Sequence, residues 1–314
     1  MKNKTKYRLR NWKEYNRSLE KRGSISVWIS DEVIQNWLLT EKTGNRGASC
    51  RYSELAIETM ATLKVVFNQA GRQVVGLVRS LFELMKIDLP IPDHSTVSRR
   101  LEDMKVELSI KHSTKPRHLV VDSTGVKVYG EGEWKVRSHG ISKRRTWRKL
   151  HLCVDEKTQE IIAAGTSENS VADCQMFPEL LAGIEEPIEQ ISADGSYDRR
   201  GVYQAIKERE IAKAAIPPRK DARIWRHGNS KEERLIRDEN LRQIRKRGRK
   251  RWKEESAYHR RSLAETAVFR YKTIFSEKLK SRKIENQFNE MFIKCAALNR
   301  MTLLGMPESY KVAA

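Results

Sequence analysis

The order of apolar runs between residues 116 and 217 constrains this chain more than any other feature. "HLVVDSTG", "GVKVYG", "WRKLHLCVD" and "EIIAAGTS" follow one another with little between them but turn residues and charge. Such runs, rich in Val, Ile or Leu and bounded by Gly, Ser or Asp, read as strands, and "VDEKTQE" reads as a hairpin loop. An amphipathic helix comes next, "SVADCQMFPELLAGI", with Ser170 as its expected cap. The strand "EQISAD", the helix "RRGVYQAIKERE" and the strand "AKAAIPP", closed by two prolines, complete the series. Strands in succession, then strands alternating with helices, predict an α/β fold: a mixed sheet with helices on its faces.

The flanking segments are helical. Ser30 can cap "SDEVIQNWLL", with Val33, Ile34, Trp37 and Leu38 on one face. Ser53 can cap a second helix bearing Leu55, Met60, Leu63 and Phe67, and "RQVVGLVRSLFELMKI" forms a third. After the breaker "DLPIPD", "HSTVSRRLEDM" reads as a short helix capped by Ser95. Its start resembles the recognition helix of helix-turn-helix proteins, which would aim Arg99 and Arg100 at DNA. The alternative is a surface helix whose arginines are merely solvated. The expected division is therefore a helical, helix-turn-helix-like domain over 1–115 and the sheet domain over 116–314. Within the latter, residues 219–254 form a basic insertion containing "RKRGRKRWK", seven cations in nine residues. That stretch reads as a disordered linker or as an arm ordered by nucleic acid. Beyond it, "FNEMFIKCAALNRMTLLGM" reads as a core helix.

Charge narrows the partners. With 62 Lys+Arg against 41 Asp+Glu, the formal net charge is +21, which favours polyanions and above all nucleic acid. No apolar run reaches the roughly 20 residues of a spanning helix, so no membrane is expected. No secretory leader is expected either, since no apolar stretch follows the charges of "MKNKTKYRLRNWKEYNR". The location expected is the cytoplasm, in association with the nucleoid. Cys50, Cys153, Cys174 and Cys295 form no CxxC pair, so they are expected as free thiols.

Two places concentrate chemistry. Asp122 in "LVVDSTG" and Asp194 in "QISADGSYD" each end a strand, and strand ends in such sheets gather functional groups. Acids there also serve as turn formers and caps, which accounts for Asp155, Asp173 and Asp198. The second place is "YHRRSLAETAVFRYK" (258–272), a basic stretch with one acid. On a helical wheel Tyr258, Arg261, Glu265 and Lys272 share a stripe about 60° wide. Leu263, Ala267, Tyr271 and Ile274 lie opposite and are expected to pack on the sheet. On residues alone, Glu265 is a satisfied ion pair or a metal ligand beside a polyanion.

The spacing Tyr258-x2-Arg261-x3-Glu265-x6-Lys272 resembles the signature of bacterial insertion-sequence transposases of the DDE type. "LVVDSTG" and "ISADGSYD" resemble their two aspartate motifs, and "VYGEGEWKVRSHG" with "WRKLHL" resembles the insertion sequence five branch. The resemblance implies an RNase H-like fold with Asp122, Asp194 and Glu265 as catalytic acids holding two Mg2+ ions, Mn2+ being an admissible substitute. It implies double-stranded DNA as partner, both transposon ends and target, and at least a dimer in the synaptic complex. Tyr258, Arg261 and Lys272 would then bind phosphate. The basic band from Lys135 to Lys149 (Arg144, Arg145 and Arg148) would track the transposon end. Trp225 and Trp252 flank the insertion and would either stack on a displaced base or be buried. His139 and His151 read as structural. Two other functions stay open: a different RNase H-like nuclease, and a non-catalytic DNA-binding descendant of a transposase.

Overall fold

The structure is a computed structural model and describes residues 6–40, 50–128, 147–226 and 234–312. It forms two compact units, 110–282 and 1–109 with 283–314.

The 110–282 unit is built on strands β2 (Arg117–Val128), β3 (Trp147–Asp155), β4 (Ile161–Glu168), β5 (Ile188–Ser192) and β6 (Lys213–Ala215), in the order β4-β3-β2-β5-β6. β2, β3 and β4 are antiparallel neighbours, while β5 and β6 run parallel to β2 and to each other. This is the mixed sheet expected from the sequence, in the RNase H-like form that the family resemblance implies. A short strand, β7 (Lys278–Leu279), adds to the far end of β2.

Side chains alternate across β2. Leu119 and Val121 enter a core on one face. There they join Phe177, Leu180 and Leu181 of helix α7 (Asp173–Ala182) and Val202, Tyr203 and Ile206 of helix α8 (Arg200–Glu208). His118, Val120 and Asp122 therefore belong to the other face, over which helix α11 (Ser262–Phe275) packs against β2 and β3.

Several local expectations differ from the structure. "HLVVDSTG" and "GVKVYG" are not two strands joined by a turn, because residues 117–128 form one strand. Gly125 serves packing: a Cβ there would stand 3.0 Å from the Trp147 ring. Ser170 is not the cap of α7; Ala172 is, with the Gln175 side chain accepting from its N–H at 2.8 Å. Within the charged stretch, residues 236–255 are folded, as helices α9 (Ile236–Arg247) and α10 (Arg249–Glu255), because Arg237, Asp238, Leu241 and Trp252 are buried there.

The other unit contains α1 (Trp12–Arg22), α2 (Ile25–Trp28), α3 (Asp31–Gln35), α4 (Glu54–Val66), α5 (Gly71–Leu84) and α6 (His94–Arg100). Ser30 and Ser53 cap α3 and α4 as expected, accepting from Val33 N and Ala56 N. Asp93, not Ser95, caps α6: its carboxylate accepts from Ser95 N at 2.8 Å. Residues 85–93 separate α5 from α6, longer than the 3–4-residue turn of a helix-turn-helix. The C-terminal helix α12 (Ile284–Leu304) packs against α1 and α4, and β8 (Ser309–Val312) pairs with β1 (Lys6–Leu9). Residues 283–314, expected with the sheet, thus lie with the N-terminal helices. Asn286 fixes this by donating to the Ser98 carbonyl at 3.0 Å.

Candidate active site

Strand register brings the two aspartates together. Val120 pairs with Ser192 across the parallel β2–β5 ladder. Two residues further along each chain stand Asp122 and Asp194, on the face toward α11. Each aspartate fixes one oxygen locally. Asp122 Oδ1 accepts from Ser123 N at 2.9 Å, and Asp194 Oδ1 accepts from Ser196 N at 2.8 Å, capping the 3-10 turn Gly195–Tyr197. The local turn and cap roles are therefore real, yet they use only one oxygen of each carboxylate.

Glu265 arrives from the other side of the site. Ala257, in the left-handed region at φ 53°, turns the chain out of α10 into a 3-10 turn, Tyr258–Arg261, and α11 follows. The signature is thus split between a 3-10 turn and a helix. Glu265 lies in the first turn of α11, while Ala264, Ala267, Tyr271 and Phe275 form its buried stripe. That stripe is rotated slightly from the one expected, with Ala264 and Phe275 in place of Leu263 and Ile274.

One guanidinium joins the acids. Arg261 Nη1 lies 3.5 Å from Asp122 Oδ2, and Arg261 Nη2 forms an ion pair with Glu265 Oε1. Burial raises the pKa of Asp122 from its ordinary value; the Ser123 N–H and Arg261 oppose this, and the charges of Asp194 and Glu265 add to it. Asp122 therefore senses both other acids. Burial disfavours the Arg261 charge, but Tyr258, Glu265 and Asp122 more than offset it and hold the guanidinium firmly protonated. The Tyr258 ring lies 6.0 Å from Arg261 Cζ and 4.9 Å from Lys253 Nζ. The charge of Lys272 is felt at Glu277, which pairs with Lys127.

Sequence reasoning missed a polar row one layer back on the same face. His118 Nε2 is 2.8 Å from Ser192 Oγ, and His118 Nδ1 is 3.4 Å from Glu156, which also takes an ion pair from Arg260. Gln190 donates to the Ser256 carbonyl at 2.8 Å. These bonds tie the lead-in of α11 to the sheet. Adjacent arginines thus divide their work: Arg261 meets the acids, Arg260 the scaffold.

Other expected contacts have mixed placements. Arg148, by alternation along β3, lies on the Asp122 face, whereas Arg144, Arg145 and His139 fall outside the described residues. Arg99 is exposed on α6, but Arg100 donates to the Tyr52 carbonyl at 3.0 Å. Trp252 is buried, with no face open to a base. Trp225 carries the Arg237 guanidinium 3.7 Å from its ring centre. His151 is structural as expected: burial lowers its pKa to about 4, and Nε2 meets Ser167 at 2.8 Å. Asp155 and Asp173 pair with Arg117 and Lys149.

The chain belongs to the transposase DDE-domain family: residues 113–300 match the family described as Transposase DDE domain, and residues 20–131 match a second family of that description. It is a DNA transposase, an enzyme of strand cleavage and strand transfer. Among solved structures it is similar to the piggyBac transposase synaptic complex with hairpin DNA, at 11% identity over 91% of this chain and 74% of that one, with a TM-score of 0.42. It is also similar to the Drosophila P element transposase strand transfer complex, at 18% identity over 62% and 43%, with a TM-score of 0.28. Among the described residues, no helix is long and apolar enough to cross a membrane.

Proposed function

We propose that this transposase, of the insertion sequence five branch, binds the terminal inverted repeats of its own element. It cleaves there to leave 3′-hydroxyl ends and joins them to target DNA, with Asp122, Asp194 and Glu265 as its catalytic acids. The observation that carries this reading is that neighbouring parallel strands bring up Asp122 and Asp194, while Arg261 reaches both Asp122 and Glu265.

Among the described residues, no three of His, Cys, Asp and Glu stand close enough as they are to hold a metal ion. The donor chemistry nonetheless fits a hard divalent ion such as Mg2+: the donors are all carboxylate oxygens, and the charges of Asp194 and Glu265 are felt at Asp122. Asp122, Asp194 and Glu265 would hold the metal. A bound pair of ions would activate the attacking oxygen and relieve charge on the leaving one. The protein's own part is placement. Asp122 and Asp194 keep one oxygen each fixed by backbone N–H groups, so their second oxygens are pre-aimed. Tyr258, Arg261, Lys272 and Arg148 offer donors to the DNA backbone around them, and Arg99 offers one from the helical unit. Such contacts position the duplex rather than read its sequence. Two ends must be held at once, so the working complex contains at least two copies.

A duplex carrying the element's terminal repeat, incubated with the protein and Mg2+, tests the reading. The expected products are a 3′-hydroxyl end and a joined strand, both lost when the repeat is scrambled. Cutting set by DNA structure, without joining, would instead make the protein a different RNase H-like nuclease. Unchanged DNA would make it a non-catalytic binder.

A further inference from the structure

We propose that Arg261 exchanges partners, holding Asp122 and Glu265 when no DNA is bound and a DNA phosphate when an end is seated. Metal loading would then be coupled to DNA binding. This rests on the reading that Asp122 and Glu265 are metal ligands.

The geometry points to competition. Asp122 has one oxygen held by Ser123 N, and the other faces Arg261 Nη1 at 3.5 Å. The same guanidinium pairs with Glu265 through Nη2. A cation binding these carboxylates meets a fixed positive charge already on them and must displace it or bind against its repulsion. Arginine has a second natural partner in phosphate, whose oxygens match its planar fork. Tyr258 beside it, with Lys253 over the Tyr258 ring, would add a hydroxyl and a further positive charge for that phosphate. Drawing Arg261 onto phosphate would release Asp122 and Glu265 together. Because coupling is reciprocal, metal would in turn favour the end-bound state. Arg260 is a built-in comparison: it carries the same charge one residue away but pairs with Glu156.

Mn2+ affinity of the full chain, measured by calorimetry and by electron paramagnetic resonance, tests the exchange. Without DNA, Arg261→Ala and the milder Arg261→Gln should bind Mn2+ about tenfold more tightly than wild type, within the usual range of binding couplings. An end-bearing duplex should tighten Mn2+ binding by the wild type and leave Arg261→Gln unchanged. Arg260→Ala should match the wild type. Equal or weaker binding by both Arg261 variants would overturn the exchange, as would an equal gain in Arg260→Ala, which would reduce the effect to net charge. Mn2+ binding unaffected by Asp122→Ala would overturn the metal-ligand reading itself, and the exchange with it.

Discussion

Replacing Asp122 with Ala should lower the rate of strand cleavage about 10³-fold or more, roughly 4 kcal/mol in the barrier, while end-bearing DNA is still bound. The size follows from the role proposed: losing a carboxylate that places the metal ions removes several kcal/mol of transition-state stabilisation. The fold should not suffer. The Asp122 pKa is raised, first by burial and further by Asp194 and Glu265, so its ionised form costs the folded state free energy at neutral pH. Removing that charge should leave Tm unchanged or slightly higher, the expected trade between an active site and stability. Asp194→Asn, which keeps an oxygen for the Ser196 N–H, and Glu265→Gln should be equally inactive and equally folded. Cleavage persisting in Asp122→Ala would defeat the assignment. Loss of cleavage together with a Tm drop of many degrees would make Asp122 a structural residue instead.

Arg237→Ala should destabilise the sheet unit by about 3–5 kcal/mol, as removal of one partner from a buried ion pair does. Arg237 is buried, and it donates to Asp198 at 2.7 and 3.2 Å, to the Arg223 carbonyl at 2.9 Å and to Asp238 at 3.3 Å. Asp238 is wholly buried and also accepts from the backbone N–H groups of Trp225 and Arg226. Without the guanidinium, two carboxylates are stranded in the interior and the Trp225 ring loses the cation stacked on it. For a unit of this size Tm should fall by about 10 °C. Chemical denaturation showing less than about 1 kcal/mol lost would mean that water satisfies both acids, and the insertion would then be a loose arm after all.

The sheet was legible because its strands are short apolar runs in a restrictive order, and the aspartates because they end two such runs. The strand over 117–128 was misjudged because "DSTG" has turn chemistry. Only the Trp147 ring, on a different strand, explains a glycine there. The insertion hid its helices because its few buried positions, Arg237, Asp238, Leu241 and Trp252, lie among cations that mask any apolar period. Nothing in the residues distinguished Arg237 from the exposed arginines around it, since its partner Asp198 is distant in the chain. The helical wheel found Glu265 and Arg261 on one side, yet it began at Tyr258, where the backbone is a 3-10 turn. The placement of α12 was illegible for a similar reason: an amphipathic helix shows that it packs, not on what.

The position of Mn2+ in crystals of the protein bound to its end duplex, located by anomalous scattering, puts the central claim to its most direct test. The account predicts manganese between the carboxylates of Asp122, Asp194 and Glu265, with Arg261 turned onto a phosphate. Manganese bound elsewhere, or Glu265 remote from both aspartates in that complex, would contradict it.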